Sequence, residues 1–379
     1  MAEEHILIVL WPEEPKALVE DIRAKLPGYK VTYFQQRGME DSLAEGNFLA
    51  NTGGVPIELW QSVTILVTLN CYPNPGDCPN LKFIHSIAAG FDHLHTHPVV
   101  TKSNVPITSS SGIHGPPIGE WVVMNWLVSS KLYNMTYEWQ KEKLWGDKMG
   151  NHAKKARDHA GKRVGILGYG SIGRHIARLA SAMGMEVLAY TSSPRPTPES
   201  RRDDSYVAPN TGDPEGTIPT AWYHDHNRED PNDKSSLHNF LSQNLDHLVI
   251  CTPLTKSTTG FIGAKELSVL SAGSSPPPQR QAPYLTNISR GKIIDQPALI
   301  DSLHSGKLRG AALDVTYPEP LPDDHPLWDA PNVSISPHLS GLGVEYMGRA
   351  IDCFIFNLKR WEERGEEGLV NLYMRKRGY

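Results

Sequence analysis

Residues 163–193, RVGILGYGSIGRHIARLASAMGMEVLAYTSS, decide the fold. The apolar run 163–167 reads as a strand, and RHIARLASAM carries apolar residues at helical spacing. Between them stand Gly168, Gly170 and Gly173. In a strand–turn–helix setting these permit a tight turn, backbone approach to a pyrophosphate, and close helix–strand packing. The helix start, Ser171 and Ile172, adds unpaired N–H groups and a partial positive charge. The stretch therefore predicts a dinucleotide site, followed by a second strand that ends near residue 191.

That second strand ends unusually. An Asp or Glu there would hold the ribose hydroxyls of NAD, but the chain continues as Thr191, Ser192 and Ser193, and the next charged residue is Arg195. A carboxylate about 4 Å from a 2′-phosphate would repel it by on the order of 4 kcal/mol per unit charge at an effective dielectric near 20. Its absence, with hydroxyl donors and Arg195 nearby, predicts NADP as the cofactor, with NADPH preferred over NADH.

Outward from this unit, 379 residues suggest about two domains. On the N-terminal side HILIVL, YKVTYF, VTILVTL and LKFIHSIAAG alternate with helical or loop segments, which predicts a small parallel-sheet domain. The turn-rich TSSSGIHGPP breaks it near residue 112, and IGEWVVMNWLVSS after it is apolar on nearly every side. Such a helix is expected to be buried all round, in a core or between subunits. Residues 193–234 hold seven prolines and many charges, and so predict a long surface loop. A smaller insertion, SAGSSPPPQRQAP, precedes the strand YLTNIS. VEYMGRAIDCFIFNLKRWEERG predicts a late amphipathic helix.

Composition narrows the class. Lys and Arg number 37 against 42 Asp and Glu, a net charge of −5 without a long single-sign block. Neither a nucleic-acid nor a membrane partner is expected. No apolar run approaches the roughly 18 residues of a membrane span, and MAEEHILIVL lacks a basic leader region. Four scattered cysteines do not make a disulfide framework, so a cytoplasmic, reducing setting is expected. FDHLHTHP alternates His93, His95 and His97; three imidazoles on one strand face would suit zinc, but an irregular loop solvates them as easily, and no metal is expected.

Farther along stand CTPLTKSTTGFIG, NISRGKIIDQPALIDSLHSGKLRGAALDVTYPEPLP and PNVSISPHLSG. These motifs, in this order and with the glycine turn, resemble the D-isomer-specific 2-hydroxyacid dehydrogenase family. The likeness extends from LKFIHSIAAGFDHL to the closing LVNLYMRKRGY, and is to glyoxylate/hydroxypyruvate reductase-like members with a fungal-type C-terminal tail. It implies an α/β fold of two Rossmann-like or flavodoxin-like parallel-sheet domains, the dinucleotide domain being inserted within the substrate domain. Residues 1–113 would form the first part of the substrate domain, 114–339 the NAD(P)-binding domain, and 340–379 the return.

The resemblance also implies roles. Reducing a 2-oxo acid to a D-2-hydroxy acid requires a cation for the carboxylate, a proton donor for the carbonyl, and a group that tunes the donor. Arg290 offers a bidentate fork; His338 would act as general acid/base; Glu319 would bond its other ring nitrogen and favour the imidazolium. Cys251, Thr252 and Pro253, with Ile288, Ser289, Asp314 and Gly341, would pass beside the coenzyme, Asp314 holding the nicotinamide carboxamide. Ala88, Ala89, Gly90 and Phe91 would present backbone N–H groups to the substrate, and Glu120 matches a hinge-helix glutamate. Trp11, Tyr72 and Phe91 hint at room for an apolar substrate side chain. Relatives bury the apolar helix in a twofold dimer, and in some a Trp like Trp145 reaches the neighbour's pocket, so a homodimer is expected. A dinucleotide-sensing corepressor on the same fold is the alternative class. Formate oxidation is disfavoured, because that branch has Gln where Glu319 stands.

Overall fold

The computed structural model describes residues 4–36, 54–91, 94, 96–145, 154–225, 233–273 and 281–375. The chain divides into two compact units, one of residues 1–113 and 343–379 and the other of residues 114–342.

The first unit is built on a five-stranded sheet: β1 (Glu4–Leu10), β2 (Tyr29–Gln35), β3 (Ile65–Thr68), β4 (Phe83–Ser86) and β5 (Ile107–Ser109). The order is β2-β1-β3-β4-β5, all parallel, which is the flavodoxin-like arrangement. The strands β1, β3 and β4 are buried almost throughout because both faces are covered, including the polar His85 and Ser86 of β4. The helix Tyr346–Arg364 buries Ile351, Phe354 and Leu358 within this unit, with Phe354 stacked 6.3 Å from Phe83. The tail after it bonds to β5, Ser109 N–H to Asn371 O at 3.0 Å and Tyr373 N–H to Ile107 O at 2.8 Å.

The second unit carries seven parallel strands: β6 (Arg163–Leu167), β7 (Glu186–Thr191), β8 (Ala221–His224), β9 (His247–Ile250), β10 (Tyr284–Asn287), β11 (Gly310–Leu313) and β12 (Val333–Ile335). Their order is β12-β11-β10-β9-β6-β7-β8. From β6 the chain winds one way to β7 and β8, then returns past β6 to β9, so Leu167 faces both Tyr190 and Ile250. A crevice opens at such a reversal beyond the strands' carboxyl ends. Phe240 is fully buried between the rings of Tyr190 and Tyr223, at 5.4 and 5.5 Å; its removal would cost about 3–5 kcal/mol.

One expectation needs correction. Residues 193–225 are not a plain surface loop. They contain the helix Pro198–Arg201 and the edge strand β8, and they bury Tyr206, Ala208 and Asp213. Proline density hid this, because the order comes from tertiary hydrogen bonds rather than from periodicity. The helix Gly115–Ser130 is buried on one side within this chain. It buries Ile118, Val122 and Trp126 and exposes Met124 by 50% and Leu127 by 39%.

Candidate active site

The three glycines of the turn each meet a different constraint. Gly168 has φ +101°, and a Cβ there would lie 2.8 Å from the backbone of Cys251 and Thr252. Gly173 would place a Cβ 2.3 Å from Gly168 O. Only glycine fits either position. Gly170 is different: among the described residues nothing lies within 4 Å of an added Cβ. Its open side fronts the helix Ser171–Ala182, with Ser171 and Ile172 as its first two residues, so bare backbone N–H groups are left for an anion.

At the end of β7, Thr191 Oγ1 donates to Ser193 O at 2.7 Å, which fixes the path of the following TSSPR segment. Arg195 is half-buried. Its Nη1 donates to Ser200 O, and its carbonyl accepts from Arg201 Nε at 3.0 Å. Ser192 and Ser193 precede it, exposed and half-buried respectively. Beside Thr191, β8 ends in His224 and is followed by Asp225, whose N–H bonds Thr191 O at 3.2 Å.

Across the switch point, Cys251 N–H bonds Leu167 O at 2.8 Å, and Pro253 O accepts from Thr258 Oγ1 at 2.7 Å. Ser289 Oγ donates to Thr252 O. Ile288 is buried against the β-sheet core. Thr252 Oγ1 is buried without a hydrogen-bond partner among the described residues. The open glycine turn and this orphaned hydroxyl, both at the sheet's reversal, fit a dinucleotide.

Arg290, Glu319 and His338 converge. Glu319 Oε2 lies 3.1 Å from His338 Nδ1, and Glu319 Oε1 accepts from Thr316 N–H at 2.9 Å. Burial works to raise the Glu319 carboxyl pKa. The hydrogen bonds from His338 and Thr316 and the charges of His338 and Arg290 outweigh it, leaving the pKa below its ordinary value. Arg290 follows β10; its Nη1 donates to Ser289 O at 2.8 Å and its carbonyl accepts from Asn287 Nδ2 at 3.0 Å. The next residue, Gly291, packs so closely that a Cβ would meet Thr316 C at 2.0 Å. This brings the arginine segment against the Glu319 loop.

His338 has φ +56°, a left-handed conformation uncommon for a side-chain-bearing residue. Asp314, 2% exposed, explains how it is held. Its carboxylate accepts from Ser336 Oγ at 2.6 Å, Leu339 N at 2.9 Å, Ser340 N at 3.0 Å, and also Ser340 Oγ. Its carbonyl accepts His338 N–H at 2.9 Å. Sequence reasoning missed this anchoring, whose only linear trace is an acid after β11 and serines on both sides of the histidine. Gly341 lies next, where an added Cβ would meet the His114 ring at 3.3 Å.

In the first unit, Ala88 O accepts from Ser110 N–H at 2.9 Å, and Ala88 N–H bonds Ser86 Oγ at 3.3 Å. Ala89 is exposed and Gly90 half-buried. The Phe91 ring packs edge-on against Tyr373 at 5.0 Å, and Tyr72 is fully buried, so both rings serve the core of this unit. Trp11 is half-buried, and Glu120 is exposed. His97 Nδ1 accepts from Val99 N–H as a helix cap; Asp92, His93 and His95 lie outside the described residues. The four cysteines are unpaired.

Residues 123–211 and 219–340 match the family model described as D-isomer specific 2-hydroxyacid dehydrogenase, NAD binding domain. This is more than half of the chain, and the chain belongs to that family. It is an oxidoreductase with a nicotinamide-dinucleotide-binding domain. Among its relatives are a glyoxylate reductase of Thermofilum pendens, 28% identical over 74% of this chain and 71% of that protein, and a hydroxypyruvate reductase of Blautia hydrogenotrophica, 26% identical over 81% and 84%. Its fold resembles the crystal structure of a D-isomer specific 2-hydroxyacid dehydrogenase from Xanthobacter autotrophicus in complex with NADPH and MES. The TM-score is 0.69 with 23% identity, covering 98% of this chain and 99% of that one. No helix among the described residues is long and apolar enough to cross a membrane.

Proposed function

We propose that this chain reduces a small 2-oxo acid of the glyoxylate or hydroxypyruvate type to the D-2-hydroxy acid, preferring NADPH over NADH. The observation that carries this reading is the 3.1 Å contact between Glu319 and His338 within reach of the Arg290 charge. A bound reduced nicotinamide supplies the hydride. Arg290 holds the substrate's carboxylate and carbonyl oxygens with its planar fork. His338 delivers a proton from Nε2 to the carbonyl oxygen as negative charge develops there, while Glu319 bonds Nδ1–H, orients the ring and favours the imidazolium. Asp314 spends its carboxylate on residues 336–340, and we assign it first to holding the His338 loop.

The coenzyme would lay its pyrophosphate along Gly168, Gly170, Ser171, Ile172 and Gly173. Its 2′-phosphate would meet the hydroxyls of Ser192 and Ser193 and the guanidinium of Arg195, which the Ser200 bond pre-aims. Thr252 Oγ1, Pro253, Ile288, Ser289 and Gly341 would line the nicotinamide side. The exposed Met124, Leu127, Tyr133, Tyr137 and Trp145 side chains support a homodimer, in which a second copy would cover them. A panel of glyoxylate, hydroxypyruvate and bulkier 2-oxo acids, run with NADPH and NADH, tests the reading. Turnover with at least one acid is expected, faster with NADPH; consumption of neither coenzyme with any acid would overturn it.

A further inference from the structure

We propose that the segment 193–225 is a clamp on the glycine turn, and that Asp213 is its positioning residue for coenzyme binding. The inference rests on the dinucleotide reading above and extends it to residues outside the motif. Asp213 is only 5% exposed. Its carboxylate closes a turn of its own segment, accepting Thr217 N–H and Ile218 N–H, each at 3.1 Å. It also accepts the Tyr169 hydroxyl at 2.8 Å. Tyr169 stands between the first two glycines of the motif, so the clamp grips the turn at its apex.

The grip has a second point. Arg174, directly after the third glycine, is 3% exposed although it lies in the first turn of its helix. A cation there opposes the helix dipole, and burial would penalise it unless acceptors surround it. The segment 201–213 provides them: Arg174 Nη1 donates to Asp213 O at 2.5 Å, Nη2 to Arg201 O at 2.6 Å, and Nε lies 3.4 Å from Asp203 Oδ2. The guanidinium also sits 5.2 Å over the Tyr169 ring. One residue on, His175 Nδ1 accepts Gly212 N–H at 3.2 Å.

Three glycines deprive the turn of side-chain packing, and glycine backbone has the most freedom to lose on ordering. A turn fixed in advance binds its ligand at lower entropic cost. The clamp also reaches the other end of the coenzyme site. Arg201, held through its carbonyl by Arg174, donates from Nε to the carbonyl of Arg195. The pyrophosphate seat and the residue assigned to the 2′-phosphate thus share one hydrogen-bonded network.

The test is equilibrium binding of NADPH and NADH to the full chain, followed by fluorescence, together with thermal unfolding without coenzyme. Tyr169→Phe removes one hydroxyl and keeps the ring. It should weaken both coenzymes by the same factor, about fivefold for one lost hydrogen bond, since the pyrophosphate is common to them. Asp213→Ala should weaken both by a similar factor, about tenfold or more, because the Tyr169 hydroxyl and the Thr217 and Ile218 N–H groups lose their shared acceptor, while the Arg174 bonds to the main-chain oxygens of Asp213 and Arg201 remain. A purely structural role would lower the unfolding temperature of both variants and leave their dissociation constants at the wild-type values; that result overturns the clamp. Wild-type protein that binds neither dinucleotide would remove the reductase reading and the clamp together, whereas tight wild-type binding with unchanged variants removes the clamp alone.

Discussion

Replacing Glu319 with Gln isolates the electrostatic part of the proposed acid. The two side chains are nearly isosteric, and Gln can still accept from His338 Nδ1–H, so the ring orientation survives while the charge is lost. At the observed 3.1 Å, Coulomb attraction would be several kcal/mol at an effective dielectric near 20. The side chains are 50% and 40% exposed, so solvent screening reduces this to about 1 kcal/mol. The sign follows from Glu319 itself. Its pKa is held below the ordinary value, so the carboxylate stays charged through the usual carboxylate range and is lost only as pH falls below it. The wild type should therefore show an acidic limb of kcat/KM below that range, and Glu319→Gln, which carries no carboxylate, should lack it, with coenzyme affinity unchanged. The assay is the pH profile of 2-oxo acid reduction for both proteins. The same acidic limb in both would refute the assigned role of Glu319.

Three further expectations concern other parts of the molecule. Arg195→Ala should raise KM for NADPH roughly ten- to a hundredfold, for one or two charge-assisted bonds lost, and barely alter NADH; a wild type with higher kcat/KM for NADH would instead give Asp225 the part of the missing ribose carboxylate. Burial lowers the pKa of His85 to about 3 and of His114 to about 4, and holds His247 well below its ordinary value. The unfolded chain therefore binds protons that the folded one refuses, and stability is lost as pH falls below about 6.5. Three such groups give a slope of about 4 kcal/mol per pH unit near pH 5; urea midpoints that are flat between pH 7 and 5 would contradict this. Light scattering should return twice the 42.1 kDa chain mass, and a monomer at micromolar concentration would remove the proposed dimer.

Legibility in the sequence followed the range of the forces involved. The unit β6–glycine turn–helix–β7 was plain because its apolar spacing and glycines are local signals. The strands β5 and β12 have three residues each, too few to show a period of two, and β8 hid within a proline-rich stretch. Arg290, Glu319 and His338 could be singled out from motif order, but their approach could not. Gly291 against Thr316, and the left-handed His338 held by Asp314, are contacts between residues far apart in the chain. The burial of Arg174, in its helix, and of Asp213, in a polar segment, had no linear signal, since charged residues ordinarily face solvent.

Single-turnover hydride transfer tests the central claim most directly. Wild-type protein and His338→Ala, each loaded with NADPH, would be mixed with a saturating 2-oxo acid that the wild type reduces. Loss of the proton donor should slow the step roughly 10²- to 10⁴-fold, while the dissociation constant for NADPH stays within about twofold, since the imidazole is assigned to the substrate. A His338→Ala protein that transfers hydride at the wild-type rate would contradict the account.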